Sequence, residues 1–232
     1  MKIFSSFTLK IIAIVTMLMD HIYTYLGGVY DIPIWFGYIG KLSAPIFFYL
    51  IVEGFFHTKS RMRYLGRLSL FGIIMIGLDN LLGISNNIFL SLALSILILL
   101  VLEYAKSANN KKAYIVTTII VILLGVAYMF TESSFYGFFM TLIFYFFRER
   151  KYLLSISYIG FSILPVITVF GGQGAYEQLM LFDYQWMMVF SLPLILLYNG
   201  RLGLKNKFTK WMFYFFYPIH LGVIQIIATI AQ

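Results

Sequence analysis

Cysteine is absent from this chain, which excludes disulfides, a thiolate nucleophile and cysteine-based metal sites. Charge is scarce as well: 11% of the residues are Asp, Glu, Lys or Arg, against roughly 25% in soluble domains. So little charge cannot cover a water-facing surface, and lipid becomes the solvent for most of the chain. No Gly-rich phosphate loop, HExxH helix or GxSxG elbow is found. No convincing internal repeat, low-complexity linker or soluble segment interrupts the pattern either, so residues 1–232 read as a single integral membrane domain. Chemistry falls to histidine, carboxylate, lysine or hydroxyl groups.

What is present is hydrophobic: 61% of the chain, in long continuous runs. All 17 Lys and Arg residues except Lys41 fall into clusters: Lys2 with Lys10, Lys59 to Arg67, Lys106 to Lys112, Arg148 to Lys151, and Arg201 to Lys210. Between successive clusters there is room for two crossings joined by a hairpin that is acidic or uncharged. Cytoplasmic loops hold the positive charge, so the N-terminus and the basic loops lie inside. The interleaving of basic loops with apolar spans accounts for the net charge of +8 without a nucleic-acid-binding face.

A crossing helix needs about 20 apolar residues, whereas a barrel would show short alternating segments. The runs here predict an all-α, polytopic helical membrane protein. Its spans are Leu9 to Leu26, Ile34 to Phe56, Leu68 to Leu82, Ile88 to Tyr104, Ala113 to Phe130, Phe135 to Phe147, Tyr152 to Phe170, Tyr184 to Leu197 and Trp211 to Ile230. That is nine, within a range of eight to ten, and an odd count sends Gln232 outside. The first stretch has a basic start but no small-x-small cleavage site, and Asp20 and His21 interrupt it, so it reads as a retained span. The outer segment 171–183, with Gly171, Gly172 and Gly174, is either a plain connection or a lid facing an acceptor.

Ionisable groups within spans are costly and mark function. His21 lies near the outer end of the first span, His57 at the inner end of the second and His220 in the middle of the last. Asp20, His21, Lys41, Asp79, Asn80, Asn86 and Asn87 are expected at similar depth toward the outer leaflet. Asp20 and His21 point about 100° apart on one helix, so Asp20 is expected to pair with Lys41 while His21 faces a cavity. Tyr214, Tyr217 and His220 recur every three residues beside Pro218, as a polar stripe or an aromatic packing stripe. Glu53 and His57 are four apart on one face. The basic group that follows them, with Arg61, Arg63 and Arg67, either sets topology or seats the phosphates of a cytosolic nucleotide-like donor. Asp20, His21 and His220 lack metal-ligand spacing, and no metal is expected.

Several strings, in order, carry a resemblance: LKIIAIVTMLMDHI from Leu9, GKLSAPIFFYLIVEGFFHT from Gly40, NNIF from Asn86, LPLILLYNGRLG from Leu192 and FYFFYPIHL from Phe213. Together they resemble the TraX family of membrane proteins, named for the acetylation of conjugative pilin, nearly from end to end. The resemblance implies a polytopic acetyltransferase of the bacterial plasma membrane. It would take acetyl from cytosolic acetyl-CoA and deliver it to an amine of an outer-face acceptor: a pilin-like N-terminus, a peptide, a lipoprotein or an amino sugar. The candidates it marks are Asp20, His21, Glu53, His57, Asn87, Tyr198 and Asn199 with Gly200, and Tyr217, Pro218 and His220. Lys41 stands where the family's GRLAFPIF-like segment more commonly has Arg, which keeps the charge but loses a bidentate donor.

In the implied reaction His21 accepts the amine proton, Asn87 or Tyr217 stabilises the oxyanion, and His220 positions the thioester. Asp20 completes the catalytic set. Lys41, Glu53, His57, Arg61, Arg63, Arg67, Tyr198 and Asn199 form the donor-binding set. A route through acetyl-histidine remains open beside direct transfer. Two rival readings use the same residues differently: a small-molecule or proton-coupled transporter relaying through the His, Asp and Lys groups, and a membrane scaffold without chemistry.

Overall fold

Helices begin where short polar side chains satisfy the first free backbone N–H groups. Ser5 caps α1 (Ser6–Leu26), with its hydroxyl accepting from the N–H of Thr8 at 3.2 Å. Two short connections later follow α2 (Trp35–Gly40) and α3 (Ser43–His57). Ser60, Asn87 and Asn110 cap α4 (Arg61–Leu82), α5 (Ile88–Ala108) and α6 (Lys111–Tyr128) in the same way. After these come α7 (Ser134–Phe146), α8 (Lys151–Ser162), α9 (Leu164–Val169) and α10 (Ala175–Glu177), a π-helical turn Gln178–Phe182, a 3₁₀ stretch Gln185–Ser191, α11 (Leu192–Leu196) and α12 (Lys207–Ala231). This computed structural model describes residues 2–231, so the expected outer placement of Gln232 lies outside the described residues.

Every expected span falls on helical structure. Among the described residues, seven helical segments are long and apolar enough to cross a membrane, and an eighth is reached if the bent pair Ala175–Phe182 and Gln185–Leu196 forms one span. A ninth crossing would have to be α7, whose 13 residues reach about 20 Å at 1.5 Å per residue, short of a bilayer core of about 30 Å. The segment 171–183 is also not a plain loop. From Ala175 it is helical, and it meets the next helical stretch at a 62° bend.

Arg61, Arg63 and Arg67 stand in the opening turns of α4 rather than in the loop before it, because Ser60 starts the helix there. Lys111, Lys151 and Lys207 likewise open α6, α8 and α12. Cations at a helix N-terminus oppose the macrodipole. Their placement therefore does not serve helix stability.

The chain forms two compact units. One comprises the residues up to Phe47 together with those from Phe147 onward, and the other Phe48–Phe146. In the first, α1 packs on α2 and α12, while α8 packs on the 3₁₀ stretch and α11. Gly40 permits the close approach of α2 to α1, since a Cβ there would lie 2.8 Å from the Cα of Asp20. Tyr158, fully buried, donates to the Met188 carbonyl and bonds Ser191, both at 2.8 Å.

In the second unit α5 packs against α4, α6 and α7. A polar knot ties three of these helices together. Tyr128 donates to the Ser91 carbonyl at 2.6 Å and bonds Ser95 at 2.6 Å, and Ser95 bonds Thr141 at 2.9 Å. Without water to take their place, such groups must satisfy one another. On α6 most large side chains, from Ile115 to Val126, point outward, as a lipid-facing helix requires.

Candidate functional site

Adjacent positions on α1 send Asp20 and His21 in different directions, one toward α2 and the other toward α12. Lys41, just past the end of α2, donates to Asp20 Oδ1 at 2.9 Å. The expected pairing of the two intramembrane charges is thus present. The Lys41 ammonium also stands 5.3 Å from the ring centre of Tyr184, a cation–π distance. Tyr184 in turn meets Tyr38 edge-on at 5.2 Å and Tyr23 at 6.4 Å, and Tyr38 donates to the Met180 carbonyl at 2.7 Å. The bent segment is fastened here to the α1–α2 pair.

On the α12 side, Tyr217, His220, Leu221, Ile224 and Ala228 form the buried stripe, at the spacing of an inward helix face. Leu26 packs with Ile224 and Ala228, flanked by Leu18, Ile22, Tyr25 and Ile32. That apolar seam sets α1 against α12 and brings the two histidines together. His21 Nδ1 lies 2.7 Å from His220 Nε2, with the residues 3% and 6% exposed. His21 therefore does not face a cavity by itself, as the sequence suggested; its ring is joined to His220.

The rings are 10° from parallel with centres 4.9 Å apart. A nitrogen separation of 2.7 Å is closer than stacked faces can approach, so the rings lie edge to edge, nearly in one plane. On its other side His220 Nδ1 is 2.7 Å from the Phe216 carbonyl oxygen, and the Phe216 ring lies 4.8 Å from the imidazole centre. Tyr217 meets His21 and His220 edge-on at 5.9 Å and 5.6 Å, and Tyr25 meets His21 at 6.2 Å. The result is an aromatic sheath around a bonded imidazole pair, next to a largely buried ion pair.

Tyr198 and Asn199, expected in the donor-binding set, belong to this unit in a different setting. The buried Tyr198 bridges to Phe4. The Asn199 amide N–H donates to the Phe4 carbonyl at 2.9 Å, and its side-chain oxygen accepts from Arg201 at 2.8 Å. With Gly200 at φ 76° and Gly203 at φ 71°, this stretch is a turn that clasps the N-terminal segment.

The remaining candidates belong to the second unit. His57 Nδ1 donates to the Glu53 backbone carbonyl at 2.8 Å, while the Glu53 carboxylate is 3.9 Å away. Glu53 is buried and His57 exposed. The Arg61 guanidinium covers the Phe55 ring at 4.2 Å, Arg67 lies 5.6 Å from the Tyr64 ring, and Arg63 is exposed. Asn87 caps α5 through Leu90 and donates to the Gly72 carbonyl at 2.8 Å. Its amide thus clamps α4 to α5.

Sequence reasoning passed over two features. Tyr184 has no spacing relation to Lys41, and only folding joins them. In the second unit Tyr145 donates to Glu103 at 2.6 Å, with Lys106 3.8 Å from the same carboxylate. A signal existed for Glu103, since it is an acid inside the apolar run of α5.

Fold and site define a polytopic helical membrane protein with a buried, directly bonded histidine pair. The pattern of the family described as TraX protein matches residues 5–228. The chain belongs to the TraX family. It is also similar to the probable fimbrial assembly protein FimC, serogroup H1, of Dichelobacter nodosus, at 28% identity over 244 residues covering 95% of this chain and 94% of that protein. No solved structure matches it.

Proposed function

We propose that this protein is a bacterial plasma-membrane acetyltransferase that moves acetyl from cytosolic acetyl-CoA to an amine of an extracytoplasmic or membrane-associated acceptor. The observation that supports this most is the 2.7 Å bond between His21 and His220 inside an aromatic sheath. Imidazole is the side chain suited to proton transfer near neutral pH, and TraX membership favours acetyl transfer as the chemistry. The relative named as a fimbrial assembly protein favours a fibre subunit among the possible acceptors, with peptides, lipoproteins and amino sugars as the alternatives.

In the direct route the acceptor nitrogen attacks the thioester carbonyl carbon and His21 takes the nitrogen's proton. The tetrahedral oxyanion forms against Tyr217, and the carbon–sulfur bond breaks. The CoA sulfur leaves with the proton that His21 then returns. Asp20 and Lys41 orient the helix turn carrying His21, and Arg61, Arg63 and Arg67 hold the donor phosphates.

The test is release of free CoA from acetyl-CoA by purified protein supplied with an acceptor peptide, together with a gain of about 42 Da on an amine of that peptide. Uptake of a solute or protons by reconstituted vesicles, with no thioester loss, would replace the enzyme by a transporter.

A further inference from the structure

We infer that His220 is a positioning residue: it fixes His21 as the Nδ1–H tautomer and makes His21 Nε2 the basic atom of the site. This rests on the acetyltransferase reading for its consequence but not for its geometry. A backbone carbonyl oxygen only accepts hydrogen bonds. The Phe216 oxygen, 2.7 Å from His220 Nδ1, therefore requires the proton of His220 to sit on Nδ1. In the neutral ring, Nε2 of His220 is then an acceptor. His21 Nδ1, 2.7 Å from that acceptor, must supply the N–H. The lone pair of neutral His21 is left on Nε2.

The direction of the whole chain is thus set by one helix carbonyl: His21 Nδ1–H donates to His220 Nε2, and His220 Nδ1–H donates to Phe216 O. The near-coplanar rings, 10° apart, are the geometry such a relay needs. His57 is held in the same way, its Nδ1 donating to the carbonyl four residues earlier, that of Glu53, at 2.8 Å. His220 uses the same anchor and passes its effect on to a second ring. A base oriented by a third group is the arrangement expected of acid–base and nucleophilic sites, here built from two imidazoles and a main-chain oxygen. The thioester-positioning role assigned to His220 from sequence gives way to this one.

The chain has only three histidines, which makes the test direct. Nitrogen-15 spectra of histidine-labelled protein in lipid nanodiscs, under mildly alkaline conditions, distinguish protonated from bare ring nitrogens, with assignment by single His→Gln variants. The expected result is Nδ1–H with bare Nε2 on both His21 and His220. In His220→Gln the amide oxygen takes the place of Nε2 as acceptor, so His21 keeps its tautomer and most of its transfer rate. In His220→Ala the His21 signal moves toward the Nε2–H form, and kcat falls at least about 100-fold with the KM for acetyl-CoA little changed.

A parent protein with Nε2–H on His21 overturns the assignment, as does a folded His220→Gln protein whose His21 has lost its tautomer. The expected spectra in a protein that never consumes acetyl-CoA would sink the acetyltransferase reading and leave the histidine assignment standing.

Discussion

Lys41 holds Asp20 at 2.9 Å, and Asp20 immediately precedes His21 on α1, so the ion pair grips the helix turn that carries the histidine. Both side chains are about three-quarters buried, at 23% and 24% exposure. Removing one partner strands the other in a poorly solvated place. Lys41→Met should cost about 1–3 kcal/mol in detergent unfolding, and Asp20→Asn combined with Lys41→Met should recover most of it. Additive losses in the double variant would show that the contact carries no coupling.

His21→Ala is expected to lower acetyl transfer about a hundredfold to ten-thousandfold, the range for loss of a general base. Expression and acetyl-CoA binding should stay close to the parent's. A protein that melts earlier but turns over normally per folded molecule would assign His21 to packing instead.

The arginines at the start of α4 separate by environment. Arg61 is engaged with Phe55 and Arg67 with Tyr64, whereas Arg63 is exposed. Neutralising Arg63 as Arg63→Gln should raise the KM for acetyl-CoA with kcat nearly unchanged. An unchanged KM in correctly inserted protein would leave the group with topology alone.

Tyr128→Phe removes one hydroxyl from the knot with Ser91, Ser95 and Thr141. Leaving buried acceptors without their donor should cost about 1–3 kcal/mol, read as a lower melting temperature. The transfer rate of the folded fraction should be retained, and a selective loss of rate with normal melting would contradict a purely structural role.

Because the chain has no cysteine, single thiols report topology without a background. Glu132→Cys should react with an impermeant maleimide from outside, and Arg150→Cys only after permeabilisation. Reaction of both from one side would make α7 (Ser134–Phe146) a re-entrant helix, not a crossing.

Hydropathy is a local property, so the membrane class and the helical character of the apolar runs were legible before folding. The Asp20–Lys41 pair was legible for a related reason. Two opposite charges in consecutive apolar spans have few other ways to be neutralised. The histidine pair was not legible. His21 and His220 are 199 positions apart, and nothing in a lipid-soluble helix announces which face turns inward, because lipid tails and protein interior are equally apolar. Packing sets the rotation of each helix: the Leu26, Ile224 and Ala228 seam turns α1 and α12 toward each other, and the glycine at position 40 lets α2 close on Asp20. Tertiary structure alone therefore decided that two separate intramembrane histidines form one bonded unit, and that Tyr184 stands over Lys41.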